Sequence, residues 1–282
     1  MINIPKTVLS GAEKLGVPLS KESAGLFELY YKILADHAGR FNLTTVTDPQ
    51  GVAYTHFLDS LALLTVADFS EADVIDIGSG AGFPGVPIKI AVPSARLTLL
   101  DATRKRVDFL SHLCLELGLD VRCVHARAEE ILHGAKLADG RDSKNGKNSK
   151  SSESSKNSKS GTNSTNSINS EDGGNGEKFR EQFDIAVSRA VASLNVLCEL
   201  CLPFVRVGGT FLAMKGVESE KEISEALTAI KTLGGSFDKK VDYTIPDVNG
   251  GEITHSIVVI RKTEPTSEKY PRRFAKITKS PL

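Results

Sequence analysis

A short β-branched run, Val74-Ile75-Asp76-Ile77, leads into the glycine-rich stretch Gly78-Ser79-Gly80-Ala81-Gly82-Phe83-Pro84-Gly85. The run reads as a buried strand, and the apolar residues from Val86 to Val92 read as the opening of a helix. Glycines at such a junction let the backbone turn sharply and let a ligand approach without a Cβ in the way. The helix N-terminus beyond offers unpaired N–H groups to an anion. A strand, a tight turn and a helix in this order constrain the chain to an α/β architecture with parallel strands.

The glycine spacing narrows the ligand. A dinucleotide fingerprint, G-x-G-x-x-G, needs its third glycine at position 83, where Phe83 stands. The chain instead has G-x-G-x-G at Gly78, Gly80 and Gly82, with Asp76 just upstream, the pattern of enzymes that bind S-adenosylmethionine (SAM). A second apolar strand, Leu97-Thr98-Leu99-Leu100, ends at Asp101. An acid at that strand tip can accept hydrogen bonds from ribose hydroxyls. A third strand, 121–126, ends at Arg127-Ala128-Glu129-Glu130. Residues just past strand three lie beside the adenine in this architecture, which makes Ala128 and Glu129 candidates. Glu129 and Glu130 also suit a helix N-terminus for their charge alone.

The 282 residues allow one large domain or two small ones. With 40% hydrophobic residues the chain can build a full core, and with formal net charge +0 any RNA contact must use local basic patches. No apolar run is long enough to span a membrane, and the opening Met1-Ile2-Asn3-Ile4-Pro5-Lys6 lacks the apolar core of a signal peptide. The expected location is cytoplasmic. Cys114, Cys123, Cys198 and Cys201 fall in apolar patterns and are expected to be buried thiols rather than a disulfide or metal set. No metal site is expected.

Residues 1–70 read as a helical subdomain, with Leu26, Phe27, Tyr30, Ile33 and Leu34 at helical spacing and a further helix from Gly51 to Val66. From residue 71 to 265 strands and helices alternate. Strands are expected at 73–77, 97–101, 121–126, 183–188, 209–214, 238–245 and 255–261, and helices at 85–92, 103–118, 128–137, 193–205 and 218–233. Alternation implies right-handed crossovers and a mostly parallel sheet with helices on both faces. The last two strands lack an intervening helix and can form an antiparallel hairpin through Asp247-Val248-Asn249-Gly250-Gly251. This describes a Rossmann-like, seven-stranded class I SAM-dependent methyltransferase sheet. Residues 140–178 are almost wholly Ser, Asn, Lys, Gly, Asp, Glu and Thr, and read as a disordered insert. Residues 266–282 form a basic C-terminal tail. Within it Lys269, Arg272, Arg273, Lys276 and Lys279 make the best local RNA patch.

The fourth strand runs into Ser188-Arg189-Ala190. The proline-aromatic loop used on exocyclic amines is absent here, and so is the Pro-Cys nucleophile used on pyrimidine C5. A ring nitrogen such as guanine N7 needs neither, because its lone pair attacks without prior loss of a proton. Arg189 suits such a site, since a guanidinium can hold guanine O6 or a phosphate. His56, Asp59 and Ser60 share a helical face that resembles a proton relay. With no proton to remove, a structural role is expected: capping, or packing of the helical segment against the glycine loop.

Several segments together resemble the bacterial small-subunit rRNA guanine-N7 methyltransferases, methyltransferase G or the glucose-inhibited division protein B family. They are Asn42-Leu43-Thr44, His56-Phe57-Leu58-Asp59-Ser60-Leu61, Asp76 to Gly85, Leu99-Leu100-Asp101 with Lys105-Arg106-Val107, Arg127 to Glu130, Ser188-Arg189-Ala190, Met214-Lys215-Gly216 and Tyr270-Pro271-Arg272-Arg273. The resemblance implies methylation of one guanine of 16S rRNA, free or in the small ribosomal subunit, with SAM as donor. It implies SAM contacts at Gly78, Phe83, Ala128, Glu129 and Arg189, the last in competition with the base-holding role. Arg127 and Lys215 look like positions facing the substrate. The insert departs from the family, which has a short connection there. Two other functions use the same sequence features: methylation of a small molecule or protein, and a non-catalytic RNA-binding assembly factor.

Overall fold

The computed structural model describes residues 2–41, 43–133, 167–168, 179–189 and 192–282. All seven expected strands are present: β1 (Asp73–Ile77), β2 (Arg96–Asp101), β3 (Val121–His125), β5 (Phe183–Arg189), β6 (Val205–Gly216), β7 (Gly235–Pro246) and β8 (Glu252–Lys262), together with a two-residue strand β4 (Ser167–Ile168). They form one sheet in the order β4-β3-β2-β1-β5-β6-β8-β7. β1 pairs parallel with both β2 and β5, with Val74 opposite Leu97 on one side and Ile185 on the other. β8 runs antiparallel between β6 and β7, with Met214 opposite Ile257 and Tyr243 opposite His255. The β7–β8 turn closes through Asp247 N–H to Gly251 O at 3.1 Å, with Gly250 and Gly251 in the left-handed region.

β4 departs from the expectation of an unstructured insert at 140–178. It pairs with β3, Cys123 opposite Ser167, and contains Ile168, the only aliphatic residue in that stretch before Phe179. The remainder of that reading lies outside the described residues.

The helices are α1 (Ile4–Lys14), α2 (Lys21–Phe41), α3 (Pro49–Gly51), α4 (Asp59–Leu61), α5 (Gly85–Ala91), α6 (Arg104–Glu116), α7 (Ala128–Ile131), α8 (Leu194–Cys201), α9 (Glu220–Thr232) and α10 (Phe274–Lys279). Between α3 and α4 the expected regular helix instead widens into π geometry over Val52–Leu58, and it ends in a 3-10 turn, Ala62–Thr65. Local hydroxyls explain part of this. Thr55 Oγ1 donates to Gly51 O at 2.8 Å and Ser60 Oγ to His56 O at 2.6 Å, so side chains compete for carbonyls that an α-helix would use. Widened helical turns of this kind often mark functional sites.

Apolar residues pack on both sheet faces, as a mostly parallel sheet requires. One core joins Phe27, Tyr30, Phe57 and Leu61 of the N-terminal helices to Val86 and Leu110. The other gathers Leu194, Cys198, Phe204, Phe211 and Ile230 around α8 and α9, with Tyr270 of the tail. All four cysteines are buried and free, two in each core. Among the described residues no helix is long and apolar enough to cross a membrane.

Candidate active site

β1 sits where the strand order reverses, with β2 on one flank and β5 on the other. A crevice opens at the carboxyl ends of strands at such a point. Ser188 Oγ closes its floor by donating to Ile77 O at 3.0 Å. The loop after β1 is tied to the next strand: Gly78 N–H and Ser79 N–H both donate to Leu100 O, at 2.8 and 3.2 Å. Tyr30 reaches from α2 and donates its hydroxyl to Ala81 O at 2.7 Å, so the helical layer also holds the loop.

The glycines of this loop divide into two pairs. Gly82 and Gly85 are packing positions, where a Cβ would lie 2.6 Å from Tyr30 Oη and 2.8 Å from Asp76 Oδ2 respectively. At Gly78 a Cβ would meet nothing within 4 Å, and at Gly80 only Gly78 O at 3.9 Å. Both have positive φ, +79° and +58°, which favours glycine. The first two glycines therefore border open space, a cradle with backbone walls, and the last two anchor it.

Two acids, Asp101 and Asp76, bind the loop, and a third, Glu129, stands at the start of α7. Asp101, at the tip of β2, accepts Gly80 N–H at 3.0 Å and Thr103 N–H at 2.8 Å, which fixes its carboxylate beside the loop. Arg106 NH1 lies 3.7 Å from it. Asp76 is fully buried; its Oδ2 accepts Gly85 N–H at 2.9 Å, and among the described residues its Oδ1 has no hydrogen-bond partner. Burial lifts its pKa to about 7, against the pull of the Gly85 N–H and of Arg189. Glu129 is buried at the start of α7, and burial raises its pKa too, although Arg127 lies 3.6 Å away. Ala128, next to it, packs in the second core.

Arg189 closes the opposite flank. Its NH1 donates to Thr55 O at 3.0 Å and lies 3.3 Å from Asp59 Oδ2, and its guanidinium stands 4.9 Å over the Phe83 ring. Phe83 is itself buried, stacked on Tyr30 at 5.2 Å and against His56 at 4.6 Å. His56 Nε2 pairs with Thr44 Oγ1 at 2.8 Å. Burial, with Arg189 nearby, depresses the His56 pKa to about 4, so the ring is neutral near pH 7. His56 thus packs beneath the glycine loop. Ser60 is spent on a helix carbonyl. Asp59 accepts from Tyr243 and His255 of the hairpin, two partners that helical spacing had no means to indicate.

Arg127 is exposed and stands 6.0 Å over the Phe274 ring of α10. The Lys215 side chain is buried, and its ammonium donates to Ala192 O at 2.8 Å and pairs with Glu222 at 2.6 Å. The tail is not a loose basic terminus. Arg272 makes a bidentate pair with the fully buried Glu199, its own N–H donates to the same carboxylate, and Arg180 donates to Tyr270 O. Arg272 therefore leaves the expected RNA patch, because a guanidinium neutralising a buried carboxylate is not free for phosphate. Lys269, Arg273, Lys276 and Lys279 remain exposed. Among the described residues no group of three or more His, Cys, Asp or Glu side chains is arranged to hold a metal ion.

The profile of the family described as rRNA small subunit methyltransferase G matches residues 24–140 and 163–247. The ribosomal RNA small subunit methyltransferase G of Alkaliphilus oremlandii is 38% identical over 274 residues, covering 96% of each chain. Its counterpart in Acetivibrio thermocellus is 34% identical over 282 residues, covering 100% of this chain and 98% of its own. Among solved structures, the precorrin-6y C5,15-methyltransferase of Geobacter metallireducens superposes with a TM-score of 0.44 at 11% identity, covering 73% of this chain and 87% of that one.

Proposed function

This chain belongs to the rRNA small subunit methyltransferase G family, and we propose that it transfers a methyl group from SAM to N7 of a specific guanine in 16S rRNA. The observation that carries the reading is the cradle at the switch point: Gly78 and Gly80 bordering open space, Asp101 locked beside them, and Arg189 fixed across from them. The residues suit a sulfonium nucleoside. Backbone at Gly78 and Gly80 admits it closely, Gly82 anchors that loop against Tyr30, Asp101 accepts from its ribose, and Ala128 and Glu129 border its adenine. Phe83 offers backbone, since its ring is committed to Tyr30 and His56. Arg189 serves a carboxylate or the entering base.

SAM supplies a methyl group already activated as a sulfonium. Guanine N7 needs no base to attack it: the N–C bond forms as the S–C bond breaks, and the positive charge passes to the methylated ring. The protein's work is then alignment and exclusion of water. This fits a site whose histidine is neutral and packed and whose Asp59 is fully committed to donors. Arg127 and the exposed basic side chains of the tail lie on the α7–α10 side of the site and suit contact with the RNA backbone. Lys215 serves by holding the chain at Ala192, just past Arg189.

The test is labelled methyl transfer from SAM to naked 16S rRNA and to small ribosomal subunits, with the product mapped by strand scission at N7-methylguanine. One strong cleavage at a single guanine is expected. Transfer only to a small molecule or a protein, or SAM binding with no transfer to any acceptor, would overturn the reading.

A further inference from the structure

The C-terminal hairpin touches the crevice through one carboxylate. Asp59, only 4% exposed, splits its two oxygens between two parts of the molecule. Oδ2 faces Arg189 at 3.3 Å, and Oδ1 accepts from Tyr243 Oη at 2.6 Å and His255 Nδ1 at 2.7 Å. Tyr243 and His255 are cross-strand neighbours on β7 and β8 and meet edge to face at 6.0 Å. Thr55, which holds the same guanidinium nitrogen through its carbonyl, lies on the widened segment just before Asp59 opens α4.

Resting on the function proposed above, we infer that Asp59 is a positioning residue for SAM binding: it fixes the Arg189 guanidinium over Phe83, and Tyr243 and His255 of the β7–β8 hairpin fix Asp59 in turn. Among the described residues, Arg189 is held by Thr55 O, Asp59 and the Phe83 ring. A long side chain at a strand end has many rotamers, and pinning it in advance removes that entropy from ligand binding. The Phe83 ring attracts the guanidinium without directing its N–H groups. The Thr55 carbonyl holds only NH1. Asp59 adds charge and a second direction on that nitrogen. Asp59 is buried and its contacts are to protein donors, so its influence on the reaction passes through Arg189.

A double-mutant cycle on SAM affinity tests this, read by calorimetry on the full chain with a thermal melt of each variant. Asp59→Asn keeps the shape and removes the charge, and should weaken SAM binding about tenfold, within the range coupled neighbours show. In an Arg189→Ala background the same substitution should cost less than about twofold. Tyr243→Phe deletes a single hydroxyl and is the control should Asp59→Asn fold poorly. It should weaken SAM binding about threefold alone and not at all beside Arg189→Ala. Equal losses with and without Arg189 would mean that Asp59 acts on the fold at large and would overturn the inference. A wild-type chain that shows no affinity for SAM would instead sink the proposed function, with this inference as its dependent.

Discussion

Asp76 is the residue whose chemistry is most altered by its surroundings. Its pKa stands at about 7 in the fold and 3.8 in the unfolded chain. Between those values the native state holds a proton that the unfolded state has released. Its contribution therefore declines as pH rises from about 4 to about 7 and is level above. His56 does the opposite: with its pKa lowered from 6.5 to about 4, the native state binds fewer protons in that window and gains stability as pH rises. The two contributions oppose each other between about pH 4 and 6.5. Asp76→Asn removes this decline, so its stability relative to wild type should climb by up to about 4 kcal/mol between pH 4 and 7. Urea unfolding at four pH values measures this; a constant offset would show that Asp76 is not the titrating group. At Gly78 the open space and positive φ make a sharper case. Gly78→Arg should cut SAM affinity by more than about tenfold, because its side chain enters the cradle, and the strain of a non-glycine residue at φ +79° should lower the melting temperature by about 2–6 °C. Calorimetry decides it, and unchanged binding would move the cofactor elsewhere.

Among the elements, the tail and the widened helix carry the most consequence. The tail docks by a buried ion pair, so Arg272→Ala strands the Glu199 carboxylate and should cost about 3–5 kcal/mol in denaturant unfolding. Arg272→Met with Glu199→Leu should recover most of that, because a matched apolar pair has no charge to desolvate. Full recovery by Arg272→Met alone would contradict the account. It follows that removing residues 269–282 would disturb the α8 side of the core as well as any RNA contact. The widened turn at Val52–Leu58 matters differently. It brings Thr55 O and Asp59 to one guanidinium and sets His56 beneath Phe83, which a regular helix with every carbonyl spent internally would not do for Thr55.

For the molecule as a whole, formal net charge +0 means that association with RNA depends on where the basic side chains lie. Arg273, Lys276 and Lys279 are exposed on one short helix and its cap, and Arg127 lies against Phe274 of the same element. Replacing the first three with Gln should lower the salt dependence of rRNA binding, the slope of log K on log salt falling by roughly 0.7–0.9 for each phosphate no longer neutralised. SAM affinity should stay unchanged, since these side chains lie outside the cradle. Filter binding at several salt concentrations reads this directly, and an unaltered slope would place the RNA on another face.

Local sequence determined the alternation of strands and helices, the glycine turn after β1, the acid at the tip of β2 and the terminal hairpin. Each of these is written in residues next to one another: β-branched runs, glycines that admit positive φ, an apolar period. Tertiary structure alone decided which glycines face open space and which are packing. It also decided that Arg272 is spent on Glu199, and that Asp59 bridges Arg189 to Tyr243 and His255 across 130 to 196 residues of chain. Those pairings depend on which strands become neighbours and on which charges shed their water together, and both are settled only when the sheet has closed around them.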